Sequence, residues 1–244
     1  MNTKIERLGI FLGGMRCGST AFRDYLQQHP QVCMHQSKDP HYFSSDKVWN
    51  QGLDDYLAGW SDYDKSKHSI ALESSTHYTK RPVYPKSAER MATMGMDVRL
   101  VYSVRDPIDR VESHMIHNAG KGYFDPDNKQ QREETLLQAI NVSNYEYQIS
   151  PYERYFPPER IKVITTESLL SDPERILAQL SDYFSIDSSF SFEKFARRPR
   201  KFKNKIDIVL SRKEIKLIRK SLLADVEKFA KRYEIDTNLW RVFK

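Results

Sequence analysis

Two short stretches of this sequence combine residue types that bind anions. The first is Gly13-Gly14-Met15-Arg16-Cys17-Gly18-Ser19-Thr20, with glycines five apart and two hydroxyl residues where a helix begins. Backbone N–H groups at such a turn add to the helix dipole and make a site for a phosphate-like anion. A nucleotide triphosphatase loop, GxxxxGK[ST], has a lysine after its second glycine that reaches the β- and γ-phosphates. Here Ser19 stands in that place, and the loop's only cation is Arg16. The loop is therefore built for an anion but poorly suited to Mg·ATP. The second stretch is Val104-Arg105-Asp106-Pro107, with Ser113 eight residues after Arg105. An arginine fork and a hydroxyl on the following helix can hold one phosphate group. An Arg105–Asp106 ion pair is the competing reading. Together the two stretches predict a ligand with two separated phosphate groups.

The elements that must position these residues follow from local patterns. Arg7 to Leu12 is a short apolar run that ends in glycines, and Ser19-Thr20-Ala21-Phe22 then opens a helix. Val98 to Val104 alternates and is rich in β-formers, and Pro107 sits at an early helical position. Further strands are expected at 69–73 and 160–166, and further helices at 85–94 and 173–184. Ser211 to Tyr233 carries Ile215, Ile218, Leu222, Val226 and Phe229 along one face, with Ser211 as N-cap and Glu214 completing a capping box. Strands alternating with helices imply a largely parallel α/β sheet, in which ligands bind beyond the carboxyl ends of the strands. With no repeat, low-complexity tract or Gly/Ser linker, residues 1–244 are expected to form a single domain.

Composition narrows the class. The 244 residues are 39% hydrophobic and 30% charged, with a net charge of +6 and a mean hydropathy of −0.69, as in a soluble folded protein. No apolar run approaches the ~20 residues that span a bilayer, and the opening residues do not read as a signal peptide. Two cysteines, Cys17 and Cys33, make neither a disulfide framework nor a zinc site. A cytoplasmic, reduced setting is the expectation, without membrane contact. The basic excess is local: residues 194–205 carry seven Lys and Arg and no acid, which leaves the rest of the chain at −1. One basic segment favours a single anionic ligand over a nucleic-acid face, although a solvated loop would look the same.

The loop GGMRCGST, followed by a helix and His29-Pro30-Gln31-Val32, resembles the 5′-phosphosulfate loop of sulfotransferases that use 3′-phosphoadenosine 5′-phosphosulfate (PAPS). VRDPIDRVESH resembles that family's 3′-phosphate motif. Lys38-Asp-Pro-His-Tyr-Phe43, the stretch from Tyr152 to Pro157 leading into ITTESLLSDP, and the ending from the Ser211 helix to Trp240 are similar to bacterial, heparan-type and glycan-modifying members. The resemblance covers nearly the whole chain in order. It implies a P-loop-type three-layer sandwich, with a central, mainly parallel sheet flanked by helices. It also implies transfer of a sulfuryl group from PAPS to a hydroxyl or amine of a small-molecule or carbohydrate acceptor. The product would be 3′,5′-ADP, and neither a metal nor a nucleic acid would take part.

Carried over residue by residue, Arg16, Cys17, Gly18, Ser19 and Thr20 belong to the 5′-phosphosulfate loop, and Arg105 and Ser113 to the 3′-phosphate site. Arg200, Lys201 and Lys203 lie in the segment that closes over that phosphate. Arg16 replaces the lysine of many members, as in the tyrosylprotein branch, and still offers charge-assisted hydrogen bonds to the leaving oxygen. Asp39 matches the glutamate assigned as general base in heparan-type members, and His41 a histidine that accompanies it. Two apart in an extended segment, their side chains would share one side, and the base role is open between them. Ser74 stands where relatives place a lysine after the glutamate matched by Glu73. His77 and the pair His114 and His117 read as surface residues. Tyr42, Phe43, Trp49, Tyr56, Trp60, Tyr123 and Phe124 are candidates for an aromatic acceptor wall. The competing functions are a P-loop kinase acting on Mg·ATP and a non-catalytic polyanion-binding module.

Overall fold

The computed structural model describes residues 5–193 and 208–244. In chain order its principal elements begin with β1 (Arg7–Phe11), α1 (Ser19–Leu26), β2 (Val32–Met34), α2 (Asp46–Trp49), α3 (Leu53–Leu57), β3 (Ile70–Ser74), α4 (Ser87–Ala92) and β4 (Asp97–Val104). They continue with α5 (Pro107–Gly120), α6 (Lys129–Val142), α7 (Tyr145–Ile149), β5 (Ile161–Thr165), α8 (Thr166–Ser171), α9 (Pro173–Phe184) and α10 (Arg212–Arg232). The described residues divide into two compact units, 5–104 with 149–193 and 105–148 with 208–244.

The first unit holds a five-stranded sheet in the order β2-β3-β1-β4-β5, with every pair parallel. The expected parallel α/β sheet flanked by helices is therefore present. Parallel strands covered on both faces read as continuous apolar runs, and β1 shows this with Leu8, Ile10 and Phe11 all buried. On one face Phe11, Leu72 and Val101 pack with Phe22 and Leu26 of α1 and Leu180 and Phe184 of α9. Gly9 permits that approach, because a Cβ there would meet Leu72 Cδ2 at 2.0 Å and the Phe184 ring at 3.0 Å. On the other face α3 supplies Tyr56, which bonds Glu73 of β3. The sheet reverses its order of winding at β1, where open α/β sheets place ligands.

The second unit is built from helices. Ile218, Leu222, Val226 and Phe229 of α10 are buried at helical spacing, and the capping box formed by Ser211 and Glu214 is complete. Glu214 also receives two hydrogen bonds from Arg132 of α6, at 2.8 and 3.1 Å. Asp225 accepts the N–H groups of Glu146 and Tyr147 at 3.1 and 3.0 Å, which ties α7 to α10.

Candidate active site

The glycine loop leaves the carboxyl end of β1, and its backbone is fixed by its neighbour strand. Gly14 N–H donates to the Ser103 carbonyl at 2.6 Å, while Ser103 N–H and hydroxyl both donate to the Gly13 carbonyl, at 2.8 and 2.7 Å. Gly18 is the N-cap of α1 with φ 84°, a left-handed conformation that suits glycine. Having no side chain, it caps none of the first-turn N–H groups, and helix N-termini are where phosphate-like anions bind. Arg16 is partly exposed and adopts φ 71°. Thr20 Oγ1 accepts a hydrogen bond from Lys38 Nζ at 2.6 Å. Cys17 differs from a ligand-facing residue. It is fully buried, its N–H donates to the Gly14 carbonyl at 3.1 Å and its thiol to the Met15 carbonyl at 3.8 Å. It shapes the loop from inside.

Lys38 and Asp39 do not pair with each other as neighbours in the sequence suggest. Lys38 reaches Thr20, and Asp39 Oδ1 accepts the Thr76 N–H at 2.9 Å and the Thr76 hydroxyl at 3.4 Å. The segment is not extended either. His41 has φ 61°, and its carbonyl accepts the N–H groups of Ser44 and Ser45 at 3.1 and 2.9 Å. A bend and a turn thus replace the extended segment expected around Asp39 and His41. The His41 ring instead meets the His77 ring at a centroid distance of 4.0 Å. Burial lowers the pKa of His41, and that of His77 to about 3, so both imidazoles are neutral at physiological pH. His77 is half-buried rather than fully on the surface, and its Nδ1 is buried without a hydrogen-bond partner.

Glu73 lies beneath this region with no exposed surface. Tyr56 and Tyr78 donate to its Oε1 at 2.8 and 2.9 Å, whereas Oε2 has no partner. Burial pushes its pKa up to about 8 against the pull of the two hydroxyls, so the carboxyl keeps its proton at neutral pH. Nearby Arg23 donates to the His35 carbonyl at 2.7 Å and lies close to Asp39 and Glu73. Among the described residues no group of three His, Cys, Asp or Glu is arranged to hold a metal ion, and no helix is long and apolar enough to cross a membrane.

The aromatic acceptor wall is a second correction. Tyr42, Phe43, Tyr56, Trp60 and Phe124 are all buried, and of the seven aromatics only Tyr123 is strongly exposed. Tyr42 stacks on Tyr56 at 4.2 Å, and Phe43 and Trp60 pack edge-on against Tyr56 at 5.3 and 5.1 Å. These rings are core.

In the second unit Arg105 opens the segment before α5. Its carbonyl accepts from the Tyr145 hydroxyl at 2.6 Å, and its guanidinium lies 3.5 Å from Asp109. The Arg105–Asp106 pair is absent, because Asp106 accepts the N–H groups of Asp109 and Val242 at 2.8 and 3.0 Å. Asp109 and Ser113, four residues apart, share one side of α5, and the Arg105 guanidinium reaches that side at Asp109. His114 is a further correction. It is buried, with Nδ1 3.3 Å from the Arg110 guanidinium. Arg200, Lys201 and Lys203 lie outside the described residues, as does the rest of the basic stretch 194–205.

Residues 10–190 match the model of a family described as the sulfotransferase family. Among curated proteins the chain is 26% identical over 197 residues to heparan sulfate glucosamine 3-O-sulfotransferase 3A1 of Mus musculus, covering 72% of this chain and 45% of that protein. It is 30% identical over 104 residues to the membrane-associated sulfotransferase kil1 of Dictyostelium discoideum, covering 41% and 21% respectively. The chain thus spans about half the length, or less, of these relatives. Among solved structures, a sulfotransferase from Alicyclobacillus acidocaldarius superposes with a TM-score of 0.79 at 20% identity, covering 98% of this chain and 99% of that one. The likeness supports the fold.

Proposed function

This chain belongs to the sulfotransferase family, and from that premise we propose that it transfers the sulfuryl group of PAPS to an acceptor hydroxyl or amine, releasing 3′,5′-ADP. The observation that carries the reading is the loop at the end of β1. It offers an N-terminus of α1 without a side-chain cap, a cation at Arg16 and hydroxyls at Ser19 and Thr20, with Ser19 where a triphosphatase has lysine.

In this reading Arg16, Gly18, Ser19 and Thr20 hold the 5′-phosphosulfate, and Cys17 keeps the loop in shape. Arg105 and Ser113 hold the 3′-phosphate, with Arg200, Lys201 and Lys203 adding charge to it. The acceptor oxygen attacks sulfur in line, and the sulfur–oxygen bond to the 5′-phosphate breaks. The electron pair passes to that phosphate, where Arg16 stabilises the developing charge. The acceptor proton goes to Asp39 or His41. Asp39 is held by Thr76 through Oδ1, which leaves its second oxygen for the acceptor, and His41 is neutral and able to accept a proton. The acceptor is a carbohydrate or another small molecule. The names of the curated relatives favour a hydroxyl group. The proposed setting is cytoplasmic, supported by two cysteines that are both buried and in no disulfide.

Calorimetric titration with 3′,5′-ADP in EDTA tests the donor site, with Mg·ATP as the control. Metal-independent micromolar binding, lost in Arg105→Ala, is expected. A preference for Mg·ATP would favour the kinase reading instead.

A further inference from the structure

The carboxyl-terminal turn of the second unit reaches the segment that opens α5 through three consecutive residues. Trp240 is fully buried and packs edge-on against Tyr145 at 6.3 Å. The Tyr145 hydroxyl accepts the Arg105 N–H at 3.3 Å and donates to the Arg105 carbonyl at 2.6 Å, which fixes that residue's backbone. Val242 donates its N–H to Asp106 Oδ2 at 3.0 Å. Between them, Arg241 Nη1 lies 2.6 Å from Asp109 Oδ1 and 3.6 Å from Glu112 Oε2. Arg219 of α10 steadies the turn by donating to the Arg241 carbonyl at 2.8 Å.

The middle contact bears on charge. Asp109 divides its carboxylate, with Oδ1 on Arg241 and Oδ2 3.5 Å from Arg105 Nη2. The shorter contact is to Arg241, so Arg105 is the more loosely held of the two arginines. A phosphate monoester carries about −1.5 to −2 charge at neutral pH, and an uncompensated carboxylate beside its arginine would repel it. Asp106, Asp109 and Glu112 are three acidic residues close to Arg105, and Arg241 is the cation that meets two of them. The side chains of Arg105, Asp109, Glu112 and Arg241 are 29–43% exposed, so solvent weakens their interactions without abolishing them.

We propose that Arg241 is a positioning residue for recognition of the 3′-phosphate. It draws the Asp109 carboxylate toward itself and offsets its charge, which leaves the Arg105 guanidinium to the phosphate. The proposal rests on the reading of Arg105 as a 3′-phosphate ligand. It adds to that site a residue 132 positions from Asp109 in the chain, outside both anion-binding stretches.

The test is a double-mutant cycle, read by calorimetric titration of the full chain with 3′,5′-ADP. A parallel titration uses 5′-AMP, which lacks the 3′-phosphate. Arg241→Gln should weaken 3′,5′-ADP binding roughly fivefold, as for loss of a partly exposed charge, with 5′-AMP affinity within about twofold of the parent. In an Asp109→Asn background the same change should weaken 3′,5′-ADP binding by less than about twofold, because the charge that Arg241 offsets is gone. Arg241→Lys keeps the cation and should recover most of the loss. An unchanged 3′,5′-ADP affinity in Arg241→Gln would overturn the proposal. So would a loss shared equally by 5′-AMP, or one that persists in full beside Asp109→Asn, since these mark a general role of the turn or a direct contact. A parent that fails to bind 3′,5′-ADP, or binds it equally well after Arg105→Ala, would instead remove the 3′-phosphate reading beneath it. The two failures are separable because the parent and Arg105→Ala are titrated first.

Discussion

Asp39 and Glu73 are two carboxyl groups of the first unit placed in opposite surroundings. Asp39 is partly exposed and receives the N–H and hydroxyl of Thr76. Glu73 receives two tyrosine hydroxyls at shorter distances, yet it is the group that keeps its proton, with a pKa near 8. At Glu73 two donors do not replace the hydration lost on complete burial, so this carboxyl keeps its proton. A carboxyl that already holds a proton cannot take one from an acceptor. The pair therefore separates into a candidate for chemistry, Asp39, and a hub that joins α3, β3 and Tyr78, Glu73.

The largest effect that would sharpen this contrast is on turnover. Asp39→Asn keeps an oxygen for the Thr76 N–H and should lower the sulfuryl-transfer rate by about 10²- to 10⁴-fold, the range of general-base catalysis. Its 3′,5′-ADP affinity should stay within twofold. Turnover close to the parent would move the base role to His41.

A smaller effect, on stability, tests Glu73. Its folded pKa lies above the value of 4.5 for an ordinary glutamate, so between pH 4.5 and 8 the folded chain binds more proton than the unfolded one. Stability from this group is fully present below pH 4.5 and is lost as pH rises through 8. Glu73→Gln preserves an acceptor for both tyrosines and carries no titration. Its melting temperature should fall less than that of the parent between pH 5 and pH 9, and at pH 9 it should equal or exceed the parent. Each kcal/mol corresponds to roughly 2–4 °C in a chain of this size. Parallel melting curves across that window would show that Glu73 is ionised in the fold and would erase the contrast.

Much of the frame was legible because its signals are local. The apolar run of β1 ending in glycines, Pro107 at the start of α5, the spacing of α9 and the capping box of α10 each lie within a few residues, and each element forms where the pattern places it. β2 is only three residues long and α6 opens with a polar run, Lys129 to Glu134, so neither presents a strong period. The motif residues were named from resemblance, but their partners were not. Thr76 meets Asp39 across 37 positions, Lys38 meets Thr20 across 18 and Tyr56 meets Glu73 across 17, and no spacing rule joins residues that far apart. The aromatics of 42–60 misled for a related reason. Their types suit a sugar wall and a core equally, and only the sheet that Tyr56 and Trp60 pack against, through Glu73 and the Leu72 carbonyl, makes them core.

The central claim is that Arg16 stabilises a leaving phosphate during sulfuryl transfer, and one paired measurement tests it most directly. Transfer from labelled PAPS to any acceptor that proves active is compared with 3′,5′-ADP affinity in the parent and in Arg16→Ala. The account predicts a loss of transfer on the order of 10²- to 10³-fold, as for removal of a transition-state donor, with less than a tenfold change in 3′,5′-ADP affinity. Equal losses in both, or transfer that persists unchanged, would contradict it.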